Sequence, residues 1–320
     1  MTGIWMYVLL VVGFVLLSKG ADFFVEGSSD VAKKLKVPSL IIGMTIVAMG
    51  TSLPECAVSI TASISGNNQL AVSNVVGSNI FNLIVVCGAC ALFTPLKVDR
   101  DTLKKQFPLA ILVGILLLVT GWIGMKVGHL DGILYLVLFA LFLWWMVRSA
   151  MKARAAGQQV AVEGEPDASK KTHPIWLCII FIVGGAAAIA VGGDLVVDSA
   201  AVIAETFGLS QNLIGLTIVA VGTSLPELVT SLVAARKKEL DMALGNVIGS
   251  NIFNVLTVLG IAAAISPVAF NMENVIDIIL LTVMSLVVWA FAWSKQQIVR
   301  WEGAVMLAMY VGYMAYIIAR

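Results

Sequence analysis

A hexapeptide occurs twice in the chain, as Gly50-Thr51-Ser52-Leu53-Pro54-Glu55 and as Gly222-Thr223-Ser224-Leu225-Pro226-Glu227. Each copy sits in a long apolar segment and places a carboxylate there. An ionisable group near a bilayer centre costs at least about 2.5–3.5 kcal/mol, so by default it marks function. A proline inside a helix has no N–H for the carbonyl four residues back, and its ring clashes there. Pro54 therefore frees the carbonyl of Gly50, and Pro226 frees that of Gly222. Around each Glu stand carbonyls, a Thr hydroxyl and a Ser hydroxyl, all hard oxygen donors. Such donors suit Na⁺ or Ca²⁺ and not Zn²⁺.

A second repeated motif adds to the donor set. Gly77-Ser78-Asn79-Ile80-Phe81-Asn82 is identical to Gly249-Ser250-Asn251-Ile252-Phe253-Asn254. On a helix Ser78 and Asn82 lie on one face a turn apart, as do Ser250 and Asn254. Gly77 and Gly249 are expected to let helices approach closely. Other readings stand beside these. Ser and Thr in membrane helices also bond back to their own backbone, and Asn82 and Asn254 can join helices without binding a ligand. Glu55 and Glu227 have no such alternative, because neither apolar core offers a Lys or Arg to pair them.

The elements that must position these groups are membrane spans. The chain is 60% hydrophobic and 12% charged over 320 residues, about half the charge of a soluble domain. A 30 Å hydrocarbon core requires roughly 20 apolar residues per helix. About ten such stretches are read, near 4–20, 38–65, 68–93, 107–125, 130–150, 174–192, 210–235, 240–266, 275–293 and 301–319. The first lacks the basic start and cleavage site of a signal peptide.

The two motif pairs align at one offset of 172 residues, and Ile42–Glu55 matches Ile214–Glu227 except at Met44/Leu216 and Met49/Val221. Asp22 and Glu26 pair with Asp194 and Asp198 at the same offset; they are expected at solvated or interfacial ends of spans. Of the 20 Lys and Arg residues, 18 fall on one side of an alternating ten-span arrangement. By the positive-inside rule that side is cytoplasmic and both termini face outward. Five spans per half is odd, so the halves are inverted relative to each other, a plan recurrent in secondary transporters. The expected fold is thus an all-α integral membrane protein of ten transmembrane helices. They form two inverted five-helix repeats, 1–150 and 174–320, joined by a polar cytoplasmic linker, 151–173, with interrupted helices at the centre.

Much else is excluded. No G-x-x-x-x-G-K-[ST] occurs, so no ATP site is expected, nor any nucleic-acid partner or cofactor. The Cys87/Cys90 pair has no His or second Cys pair beside it and reads as buried small hydrophobes. No nucleophile–base pair suggests an enzyme. Asp131 and Glu302 read as helix N-terminal charges.

Taken together, the paired G-T-S-L-P-E and G-S-N-x-x-N motifs resemble the α-repeats of the cation/Ca²⁺ exchanger superfamily, in its sodium/calcium exchanger branch, across essentially the whole chain. The resemblance implies antiport of Na⁺ against Ca²⁺, commonly three for one, in the cell (plasma or inner) membrane by a protein functional as a monomer. It implies Glu55 and Glu227 as shared Ca²⁺ and Na⁺ ligands, with Thr51 and Thr223 acting mainly through backbone carbonyls. Ala48 and Ala220 would offer carbonyls to flanking Na⁺ sites completed by Ser52, Ser78, Ser224 and Ser250; Asn82 and Asn254 would border the middle site. Archaeal and potassium-dependent members tend to carry Asp where this chain has Asn254, which argues against K⁺ co-transport. A proton-coupled or K⁺-dependent exchanger on the same scaffold is the alternative.

Overall fold

The computed structural model describes residues 4–65, 68–155, 172–208 and 220–319. Backbone polar groups in hydrocarbon must be satisfied within their own segment, so apolar stretches of this length become helices. Among the described residues eight helices are long and apolar enough to cross a membrane. They are α1 (Ile4–Leu35), α4 (Leu70–Phe93), α5 (Thr102–Met125), α6 (His129–Ala155), α7 (Ile175–Thr206), α9 (Leu240–Ile265), α10 (Met272–Lys295) and α11 (Arg300–Ala319). One bent pair passes the same test together, α2 (Ser39–Thr51) and α3 (Leu53–Ile64), which meet at 49°; taken as one span it makes nine. The expected span 210–235 lies partly outside the described residues, which resume with a single helical turn, Ala220–Gly222, and then α8 (Leu225–Arg236). Residues 156–171 of the expected linker also lie outside them.

The break between α2 and α3 follows from local chemistry. Ser52 leaves helical geometry with ψ near 14°, and α3 restarts with Pro54 in its first turn, where a missing N–H costs nothing. Ser224 repeats the pattern ahead of Pro226, with ψ near 5°. Two later helices loosen into a π-type turn at matching places, Phe81–Val86 in α4 and Asn254–Leu259 in α9. Such turns recur at functional sites. As expected, Asp131 and Glu302 sit at helix starts, accepting the backbone N–H of Gly128 and of Val299, each at 2.8 Å.

Helices α1 and α7 lie along one another through small residues. A Cβ on Gly20 would stand 2.9 Å from the Gly185 carbonyl oxygen, and one on Gly185 would stand 2.8 Å from that of Gly20. The same reciprocity links Gly13 and Gly192. Since Gly13 meets Gly192 and Gly20 meets Gly185, the two helices run antiparallel. Two-residue ladders tie the ends of other spans. β1 (Leu96–Lys97) pairs with β4 (Gln297–Ile298), and β2 (Lys126–Val127) pairs with β3 (Val268–Ala269).

The main core is built from α4 and α9, with Ile80, Ile84, Ile252 and Leu259 fully buried. Apolar side chains such as Leu112, Leu141 and Ile180 point outward, as lipid-facing positions do. Gly249 makes the close approach expected of it, its Cβ position lying 2.6 Å from the Met44 Cα. Gly77 does not: among the described residues nothing lies within 4 Å of its Cβ position. The stretch equivalent to the one Gly249 meets lies outside those residues.

Candidate ion-binding site

Both helix restarts aim their glutamates at the middle of the molecule. Glu55 and Glu227 are in the first turns of α3 and α8, and both are fully buried. Their partners cross over. The Ser52 hydroxyl donates to Glu227 Oε1 at 2.7 Å, and the Ser224 hydroxyl donates to Glu55 Oε1 at 3.2 Å. Each serine thus holds the carboxylate of the other motif copy. No Lys or Arg ion pair reaches either acid among the described residues.

Several of the remaining predicted donors are buried as well: Thr51, Ser78, Ser250, Asn82 and Asn254. Among the described residues, Glu55 Oε2, Glu227 Oε2, the Ser78 and Ser250 hydroxyls, both side-chain polar atoms of Asn82 and Asn254 Oδ1 find no hydrogen-bond partner. Buried polar atoms are normally satisfied, so a cluster of orphaned oxygens calls for a ligand. Two carboxylates surrounded by neutral oxygens form a hard-cation donor set. No group of three or more His, Cys, Asp or Glu that could hold a metal occurs among the described residues.

Two predicted donors are less available. Ala48 is buried, and its carbonyl already accepts the Ser52 N–H at 3.1 Å and the Thr51 hydroxyl at 3.4 Å. Ala220 is described only as part of its helical turn.

The structure also recruits residues that the motif reading passed over. Asn74 donates to the backbone carbonyl of Glu55 at 3.3 Å and to Ser59 Oγ at 3.0 Å. Asn246 does the same for the Glu227 carbonyl at 3.5 Å and Ser231 Oγ at 2.9 Å. Asn79 and Asn251 each donate to the other's backbone carbonyl at 3.1 Å. Asn254 donates to Asn79 Oδ1, also at 3.1 Å. Every one of these asparagines recurs at the 172-residue offset, and that was the signal available in the sequence.

A cavity of about 380 Å³ is lined by Pro54 and Ala57 of α3, Asp194, Val197 and Asp198 of α7, and Thr223 and Pro226.

Comparison with known proteins bears on the family of the chain. The family model described as "Sodium/calcium exchanger protein" matches residues 5–148 and 177–319. The inner membrane protein YrbG of Escherichia coli (strain K12) is 37% identical, with 88% of each chain covered. The sodium/calcium exchanger MaX1 of Methanosarcina acetivorans is 32% identical over 96% of this chain and 97% of its own. The solved sodium-calcium exchanger NCX_Mj superposes with a TM-score of 0.85 at 32% identity, covering 99% of this chain and 100% of that one. With a matching family model, full-length relatives and a shared membrane fold, this chain belongs to the sodium/calcium exchanger family.

Proposed function

We propose that the protein is an antiporter that exchanges Na⁺ for Ca²⁺ by alternating access, independently of K⁺. Membership of the exchanger family supports cation/Ca²⁺ exchange, and the buried glutamate pair supports these ions in particular. The carrying observation is the crossed Ser52–Glu227 and Ser224–Glu55 bonding, which leaves one oxygen of each buried carboxylate free. Facing acids repel when bare, so the cluster needs positive charge to close around. One Ca²⁺ or a set of Na⁺ ions meets that need, and the two loads compete for the same oxygens.

In this reading Glu55 and Glu227 ligate both cations. Thr51, Thr223, Ser52, Ser224, Ser78 and Ser250 supply neutral oxygens, Ala48 and Ala220 carbonyls, and Asn82 and Asn254 the border of the middle site. Asn74 and Asn246 position the two glutamates through their backbone.

The chain is read as ten spans in two inverted repeats, 1–150 and 174–320, about the linker 151–173. Both termini lie outside the cell (plasma or inner) membrane, and one copy suffices for function. The antiparallel run of α1 and α7, helices at equivalent places in the two halves, supports inversion. These two helices slide against the rest to open the site to alternate sides. Exchange of three Na⁺ for one Ca²⁺ moves one net charge per cycle.

The test is flux in proteoliposomes. ⁴⁵Ca uptake should follow an imposed Na⁺ gradient with no pH difference and no K⁺ present. Uptake driven only by a pH gradient, or only with K⁺, would replace this reading with the proton-coupled or K⁺-dependent one.

A further inference from the structure

Some contacts recur in both halves, such as Asn74 with Glu55 and Asn246 with Glu227, and others do not. One group of contacts that fail to recur lies at the two mouths of the site. Asp194, Val197 and Asp198 of α7 line the open cavity with Ala57 and Thr223. Their equivalents one repeat earlier, Asp22, Val25 and Glu26 of α1, meet a closed surface. Val25 is fully buried and packs in one cluster with Ala21, Phe24, Val233 and Ala234, with Leu225 and Val229 against it.

The hydroxyls follow the same division. Thr51 is fully buried and donates to Asn246 Oδ1 at 3.1 Å. Thr223, its equivalent, lines the cavity, and its hydroxyl has no partner among the described residues.

Charge explains which mouth is shut. At the closed mouth Arg236 reaches Asp22 at 2.6 Å, and Lys237 reaches Glu26 at 3.2 Å and the Asp22 carbonyl at 2.7 Å. Glu239, next along, is buried and accepts from Ser29 of α1 and, at 3.0 Å, from Ser39 of α2. At the open mouth the residues equivalent to Arg236 and Lys237 are Ile64 and Ser65. Ser29 is matched there by Ala201. Asp194 and Asp198 keep their carboxylates, and among the described residues no Lys or Arg ion pair reaches either.

We propose that Arg236 and Lys237, paired with Asp22 and Glu26, form an ionic latch across α1 and α8 that holds the Lys/Arg-rich mouth of the exchanger shut. The lack of its equivalent at the other mouth makes that one the resting opening. The proposal rests on the alternating-access reading and adds a one-sided device to it. Opening the latched mouth requires these pairs and the Thr51–Asn246 bond to part. Closing the other lets Thr223 approach Asn74, its counterpart to Asn246. An exposed ion pair alone is weak, because solvent screens it. Here several pairs act on one helix face, backed by the buried Glu239 contacts.

The test uses thiol reactivity in detergent, where a charged methanethiosulfonate reaches both mouths. Val25→Cys is placed in a protein whose native cysteines are replaced. A second protein retains native Cys87, buried in the main core, as its single thiol. The pair Arg236→Gln with Lys237→Gln should raise the modification rate of Val25→Cys about tenfold, equivalent to about 1.4 kcal/mol. Cys87 should stay slow. The charge swap Asp22→Arg with Arg236→Asp should keep Val25→Cys protected.

An unchanged Val25→Cys rate in the Gln pair, with Cys87 slow, overturns the latch. If Cys87 also accelerates, the Gln pair has loosened the fold and the charge swap decides. Protection by the swap then upholds the latch, and loss of protection overturns it. No readout involves Na⁺ or Ca²⁺ flux, so failure of the latch and failure of the exchange reading are separable.

Discussion

Replacing Glu227 by Gln changes one charge and almost no volume. The side chain is fully buried, and the Ser52 hydroxyl that donates to Glu227 Oε1 can donate equally to an amide oxygen. Geometry should therefore survive, and the loss should be electrostatic. Unit charges about 4 Å apart interact by about 4 kcal/mol at an effective dielectric of about 20, and a divalent ion doubles that. Even if relaxation leaves a quarter of the doubled value, about 2 kcal/mol remains, or roughly a 30-fold weaker site for Ca²⁺. Na⁺ loses about half as much per ion, so Ca²⁺ binding suffers first.

Stability should move the other way. Removing one of two facing buried acids relieves repulsion and desolvation, so Glu227→Gln should unfold in detergent without ions at or above the wild-type temperature. The assay is Na⁺-driven ⁴⁵Ca uptake in proteoliposomes, with thermal unfolding in parallel. Uptake within twofold of wild type would refute the reasoning, since no buried ligand of Ca²⁺ can lose its charge so cheaply. Lost uptake with a collapsed unfolding temperature would instead show that Glu227 holds the fold together.

Three further outcomes are expected. Asn246→Ala removes the donor to the Glu227 carbonyl, a bond of about 0.5–1.5 kcal/mol, and should raise the half-saturating Ca²⁺ concentration roughly two- to tenfold while the protein stays folded. Gly20→Ala brings a methyl against the Gly185 carbonyl, 2.9 Å away, and should cost about 1–3 kcal/mol through overpacking. Gly184→Ala, whose Cβ has nothing within 4 Å among the described residues, should leave the unfolding temperature within a degree or so of wild type, which would localise the effect to the α1–α7 seam. With a K⁺-ionophore clamp, 100 mV should shift the equilibrium Ca²⁺ gradient about 50-fold if one net charge moves per cycle, since that charge is worth about 2.3 kcal/mol; no shift would mean electroneutral exchange.

Composition and repetition determined the class of this protein without coordinates. Apolar runs of membrane length become helices because lipid offers their backbone no other partner. A proline second in each restart has no N–H with which to continue the helix before it. The two glutamates stood out because burial of a lone acid has no structural excuse. The 172-residue offset also marked the asparagines that hold the site together, although their spacing alone did not say what they touch. Asn74 reaches a carbonyl on α3, and Asn79 reaches across to α9; both contacts depend on how helices far apart in sequence come together.

Tertiary structure alone decided the crossed bonding, in which Ser52 serves Glu227 and Ser224 serves Glu55. Pattern within one motif cannot reveal a partner 175 residues away in sequence. It also decided which mouth is closed. The sequence carries Arg236 and Lys237 in one half and Ile64 and Ser65 in the other, yet only packing shows that the two cations meet Asp22 and Glu26. Repetition fixes which residues are equivalent, and under the alternating-access proposal that equivalence must break for the site to face one side at a time. The break is a property of the packed state, where long-range pairs are made on one side and missing on the other.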